Sequence, residues 1–157
     1  GRLGRFGWKA QVPSIDEFLR DAVTMELGMT LPYEEGMTFG RIYDNDDIPD
    51  PEFSLEDTDT LRNYLRLLGP PPRSLEGKDA ATVAIGEGLF ESVGCTKCHT
   101  PSMQTDTGVD VNLYSDLLLH EILPPNAHGI EEASANMREF RTAPLWGLAT
   151  SAPYLHD

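Results

Sequence analysis

A mainly α-helical fold is predicted for this chain by three observations. Several segments combine a helix start signal with apolar residues at helical spacing. No pair of alternating strands is visible. A third helical segment ends at a glycine that leads directly into Cys95-Thr96-Lys97-Cys98-His99. Two thiols one turn apart, followed by an imidazole, make a C-x-x-C-H site, a short motif that specifies covalent attachment of a haem. Helix, glycine and C-x-x-C-H together are the entry to a cytochrome c-like domain.

The elements follow in order. Ser14 with Glu17 makes a capping box just after Pro13, and Ile15, Phe18, Leu19, Ala22 and Val23 form one stripe, so a helix is expected from there to Leu27-Gly28. Residues 29–53 read as loop. Within them Asp44-Asn45-Asp46-Asp47-Ile48-Pro49-Asp50-Pro51 is dense in oxygen ligands and could bind calcium. It lacks the glycine and terminal glutamate of an EF-hand, and a solvated turn is the simpler reading. Ser54 starts a second helix, with Glu56 and Asp57 in its first turn and Leu61, Tyr64, Leu65 and Leu68 on one face. Gly69 and Pro70-Pro71-Pro72 stop it and mark the best internal boundary. A third helix is expected over about Ala80 to Val93, closed by Gly94. Beyond the motif, Thr100 to Gly108 reads as loop, Tyr114 to Ile122 and Glu131 to Phe140 as short helices, and the remainder as ordered coil.

The motif has three rivals. A zinc site of the two-cysteine, two-histidine kind would want further Cys or His at ligand spacing, and Cys98 and His99 are too close to serve as half of one. A thioredoxin-like thiol pair would follow a strand in a βαβ unit. A structural disulfide would not require His99. Haem attachment through Cys95 and Cys98, with His99 as proximal iron ligand, is the favoured reading; redox thiols and a metal ion are the alternatives.

Bulk properties narrow the partners. The 157 residues suit one domain or two small ones, and 39% hydrophobic content is modest, so a covalent haem would supply an apolar nucleus. With 26 acidic and 12 basic side chains the formal charge is −14. That field disfavours nucleic acid and anionic membrane surfaces and favours a basic redox partner, although acids also serve solubility alone. No apolar run approaches a membrane span and no signal peptide is visible. Neither end looks natural, which suggests a piece of a longer protein. Haem attachment of this type implies a periplasmic or otherwise exported location.

Four stretches carry a wider likeness. Gly4-Arg5-Phe6-Gly7-Trp8-Lys9-Ala10-Gln11-Val12-Pro13-Ser14, Tyr114-Ser115-Asp116-Leu117-Leu118-Leu119-His120, Phe140-Arg141-Thr142-Ala143-Pro144-Leu145-Trp146-Gly147-Leu148 and Ser151-Ala152-Pro153-Tyr154-Leu155-His156-Asp157 occur in that order. The chain thereby resembles the bacterial di-haem oxidoreductases also called thiol oxidoreductases. These lie within the superfamily of di-haem cytochrome c peroxidases and MauG-like enzymes.

The resemblance implies two packed cytochrome c-like haem domains. Residues 1–72 would be the end of the first and 73–157 the haem-bearing second, without its C-terminal part. The first C-x-x-C-H is absent, as is the trailing segment where relatives carry the second axial ligand. The resemblance also implies that Trp8, followed seven positions later by Ile15, lies between the haems and passes electrons. Glu26, in Glu26-Leu27-Gly28-Met29, would be the acid–base group for peroxide chemistry. The plainer readings are a core side chain for Trp8 and a solvated helix end for Glu26.

Other candidates are weaker. His120 is expected to hydrogen-bond near the haem edge, His156 to order its loop, and His128 to be exposed. Met103 lies too close behind His99 to reach the opposite haem face, and Met137 is expected in packing. Arg141 is a candidate partner for a haem propionate, since a guanidinium pairs bidentately with carboxylates. The function these readings imply is a haem c electron-transfer domain of a di-haem peroxidase-like oxidoreductase. The alternative is a non-catalytic electron carrier or a structural haem subunit.

Overall fold

The helix start at Ser14 forms as its residues dictate. Ser14 Oγ accepts a hydrogen bond from Glu17 N at 3.2 Å, and α1 runs Ile15–Glu26. The computed structural model describes residues 2–73, 75 and 77–154. The chain divides into two compact units, 1–69 and 70–157.

In the first unit, α1 packs on α2, Leu55–Leu67, around buried Leu19, Val23 and Leu31, with Met29, Phe53, Leu61 and Leu65 against them. Phe18 and Tyr64, expected on apolar faces, are exposed. Ser54 caps α2 by accepting from Asp57 N at 3.0 Å. Ser14→Ala is expected to cost about 1 kcal/mol, the usual value of such a cap. Slower exchange of the first-turn amides of α1 in the variant would contradict this.

The expected return bond of the capping box is missing. Glu17 turns inward instead, fully buried, and its Oε1 accepts from Arg2 Nη2 at 2.7 Å and from Thr38 N and Oγ1, each at 2.9 Å. Burial pushes the Glu17 carboxyl up, but its bonds from Arg2 and Thr38 outweigh that and hold it below its ordinary 4.5. Folded Glu17 therefore binds its proton less readily than unfolded Glu17. Its contribution to stability is present above pH 4.5 and lost as pH falls through the lowered folded value. The urea midpoint of the first unit is expected to drop on acidification through that range, and Glu17→Gln to flatten the drop.

Residues 29–53 hold no helix or strand and are tied down by point contacts. Leu31 N donates to Arg41 O at 2.8 Å and Phe53 N to Thr30 O at 3.0 Å. Buried Thr30 donates from Oγ1 to Asp50 Oδ1 at 2.5 Å, and its N donates to Glu52 at 3.0 Å. Asp16 of α1 pairs with Arg62 and Arg66 of α2 at 2.7 and 2.6 Å.

In the second unit, Asp79 caps α3, Ala80–Ser92, by accepting from Thr82 N at 2.9 Å. The helix ends at Gly94, whose φ of +89° only glycine adopts without strain, and the chain enters a 3₁₀ turn, Cys95–Lys97. α3 buries none of its side chains, and Ile85, Leu89 and Val93 on one face are more than half exposed. Strands β1, Met103–Gln104, and β2, Asp110–Val111, pair antiparallel. Strands β3, Leu119–Glu121, and β4, Glu139–Arg141, pair antiparallel with His120 opposite Phe140. A further 3₁₀ turn spans Leu148–Thr150.

The mainly α, cytochrome c-like expectation is therefore corrected. Among the described residues there are three α-helices and two small two-stranded sheets. The helices expected over 114–122 and 131–140 do not form. Tyr114 and Leu117 take φ of +51° and +59°, and Ala133 takes +52°, values that no continuing α-helix contains. Side chains that bond nearby backbone compete with the helix: Ser115 Oγ accepts from Leu117 N, Asp116 Oδ1 from Leu118 N, and Asn136 Oδ1 from Arg138 N. The 100–108 loop likewise contains β1. No helix of the described residues is long and apolar enough to cross a membrane.

Candidate functional site

The 3₁₀ turn after α3 places Cys95, Cys98 and His99 together. His99 N and Cys98 N both donate to Cys95 O, at 2.9 and 3.3 Å, so one turn of backbone carries both thiols and the imidazole. Neither cysteine is in a disulfide, and both are half-buried.

The segment 114–116 clasps this turn from outside. Tyr114 N donates to Pro101 O at 3.3 Å, Ser115 N to Thr100 O at 3.0 Å, and Asp116 N to Cys98 O at 2.9 Å. The clasp brings the Tyr114 carbonyl to 2.8 Å from His99 Nδ1. A carbonyl can only accept, so Nδ1 carries a proton. The Phe90 ring of α3 stands 6.1 Å from the imidazole and 6.2 Å from the Tyr114 ring, edge-on to the latter. A metal-ligating histidine characteristically donates its second ring nitrogen to a carbonyl in this way, which fixes tautomer and orientation.

These residues fit a haem. Two unjoined thiols on one turn suit two thioether bonds, and an imidazole whose Nδ1 is held by a backbone carbonyl suits ligation of iron through its other ring nitrogen. Tyr114 as the orienting group was not legible in the sequence, because its carbonyl, not its side chain, makes the contact.

The same clasp assembles a second cluster. Asp116 Oδ2 and His120 Nε2 lie 2.7 Å apart, and the Cys98 sulfur, one Asp116 oxygen and one His120 nitrogen are all within 4.8 Å of one another. Burial pushes the Asp116 carboxyl up, yet bonds from Leu118 N, His120 and Thr142 outweigh it and hold the group below its ordinary value.

The other sequence candidates fall in different places. Arg141 is half-buried on β4, where burial lowers its pKa, and its Nη1 is 3.4 Å from Thr142 O. His128 is exposed, as are Met103 on β1 and Met137. His156 lies outside the described residues. Trp8 and Glu26 belong to the first unit. Trp8 is 73% exposed, in the turn between bridged Phe6 and Val12. Glu26 is exposed at the end of α1; Asp21 is pushed up by its own burial and then by the Glu26 charge. In the candidate calcium loop, Asp44, Asp50 and Glu52 present oxygens within 4.8 Å of one another. Glu52 lies just outside the run read from the sequence.

The family described as "Di-haem oxidoreductase, putative peroxidase" matches residues 1–157. No curated protein matches the chain, and no solved structure matches it.

Proposed function

From a chain that belongs to the di-haem oxidoreductase family, we propose a specific division of labour: the 70–157 unit holds one haem through Cys95 and Cys98, with His99 on its iron, and relays electrons in a peroxidase-type reaction. The observation that carries this reading is the 2.8 Å contact between His99 Nδ1 and Tyr114 O directly behind two unjoined thiols.

When bound, the haem supplies a one-electron redox centre. The chain's own residues do the rest. Tyr114 O holds the imidazole proton on Nδ1 and aims Nε2. Phe90 limits rotation of the ring. Arg141, half-buried beside His120's strand, offers a cation for a propionate. Trp8 as an electron path and Glu26 as acid–base group extend the reading to a second haem. A basic partner and an exported location go with it, since a charge of −14 speeds encounter with a cation at low salt. The exposure of Glu26 favours a second reading, a carrier without catalysis.

Acid–acetone extraction tests attachment. Haem is expected to stay with the precipitated protein, Cys95→Ala to retain one thioether at most, and His99→Ala to lose the wild-type visible spectrum. Freely extracted haem would overturn the reading. In the whole protein, Glu26→Gln is expected to slow peroxide turnover and leave the spectrum unchanged. Wild-type turnover in that variant would remove Glu26 from the reaction, and absence of peroxide turnover in the whole wild-type protein would select the carrier.

A further inference from the structure

Cys98, Asp116 and His120 bring together three different donors. A thiol, a carboxylate and an imidazole within 4.8 Å of one another, all half-buried, suit a zinc-class cation better than calcium or magnesium, which want oxygen alone. Zinc bonds of about 2.0–2.3 Å put tetrahedral donors roughly 3.3–3.6 Å apart, so the Asp116 and His120 atoms, 2.7 Å apart, part by about 0.6 Å and the Cys98 sulfur closes on them by about 1 Å at most.

The scaffold for that closure is built. Asp116 is held by its N–H to Cys98 O at 2.9 Å and by Leu118 N on its Oδ1 at 3.0 Å. His120 sits on β3, in register with Phe140 of β4. Spacing within the C-x-x-C-H motif gives no hint of this set, because two of its three members come from a segment that returns to the motif.

We propose that the haem-free chain binds one zinc-class divalent cation through Cys98 Sγ, Asp116 and His120, and that this ion competes with haem for the Cys98 sulfur. Binding breaks the Cys98 S–H bond, forms a sulfur–metal bond and releases the proton to solvent. The proton between His120 Nε2 and Asp116 passes through solvent to Nδ1 of the same ring, which leaves Nε2 for the metal, and water completes the coordination. Thioether formation uses the same sulfur, so the two occupants exclude each other. The metal site stands on these side chains alone; the competition rests on the haem reading.

The test uses the full 157-residue chain, haem-free and reduced, with cobalt(II) as optical probe and zinc(II) as competitor. One equivalent of cobalt is expected to give a thiolate charge-transfer band and tetrahedral d–d absorption, both removed by zinc. Cys98→Ser, Asp116→Asn and His120→Gln are each expected to weaken zinc binding by at least about tenfold. Cys95→Ser is expected to bind as wild type. An absent cobalt band, or equal loss in Cys95→Ser and Cys98→Ser, overturns the site.

A wild-type measurement covers variants that fail to fold. With zinc present, iodoacetamide is expected to modify Cys95 and spare Cys98, read by peptide mass mapping. Equal labelling of the two overturns the proposal. Preloaded zinc is expected to lower the yield of the Cys98 thioether and not that of Cys95; an unchanged yield overturns the competition. Failure of the haem reading looks different: zinc protects Cys98, yet no haem attaches without zinc.

Discussion

Arg20→Met is expected to destabilise the first unit by about 3–5 kcal/mol, the range for removing one partner from a buried charged network. Arg20 is 2% exposed. Its Nε donates to Phe39 O at 3.0 Å, its Nη2 to Pro32 O at 2.8 Å, and its Nη1 to Glu34 at 2.9 Å. Methionine keeps much of the apolar stem but leaves these acceptors without their donor. Glu34 retains Arg62, so the two carbonyls bear most of the penalty. Gly40 lies close enough that a Cβ there would meet Arg20 Cβ at 2.9 Å, and its φ is +88°. Gly40→Ala is therefore expected to act in the same direction. Urea midpoints with hydrogen exchange of the α1 amides read the effect. A loss under about 1 kcal/mol, the scale of a single surface hydrogen bond, would show that the 29–53 segment closes without this cation.

Ser115→Ala is expected to destabilise the second unit by about 1–3 kcal/mol, because it removes the acceptor of Leu117 N and leaves Thr142 O with only the long contact from Arg141. Ser115 is fully buried. Its Oγ donates to Thr142 O at 2.7 Å and accepts from Leu117 N at 2.9 Å, joining the left-handed turn before β3 to the end of β4. Alanine fills the space but offers neither bond. The turn also positions Asp116 and His120, so amide exchange from 116 to 120 is expected to accelerate more than that of α3. Uniform acceleration across the unit would show that the turn is not held locally by this hydroxyl.

The parts legible in the sequence are those that local chemistry decides. Ser14, Ser54 and Gly94 punctuate helices whichever way the rest of the chain runs, and α1, α2 and α3 fall where those residues place them. The run Leu117-Leu118-Leu119 misleads, because its apolar content suits a helix while Ser115 and Asp116 take up the backbone amides that a helix needs. Strands of two or three residues, such as β1 and β4, are too short for alternation to register. Glu17 shows the same limit from the other side: its spacing from Ser14 reads as a cap, but Arg2 and Thr38 claim its carboxylate.

The candidate site divides the same way. Cys95, Cys98 and His99 are contiguous and chemically distinctive. Tyr114 contributes a carbonyl that any residue would carry, and Asp116 and His120 matter only once the chain has turned back. Their roles depend on closure of the clasp, which no periodicity announces.

That clasp also bears on the order of events during folding. Its bonds join residues only 13 to 18 positions apart, so loop closure costs little and contacts of this kind form fast. The tie from Ser115 to Thr142 spans 27 positions and closes a longer loop. In a chain folding where haem is attached, His99 is therefore expected to gain its carbonyl partner before β3 gains β4. An oriented imidazole and two thiols are then presented while one side of the nest is still undocked, the most open form in which a bulky planar ligand can enter.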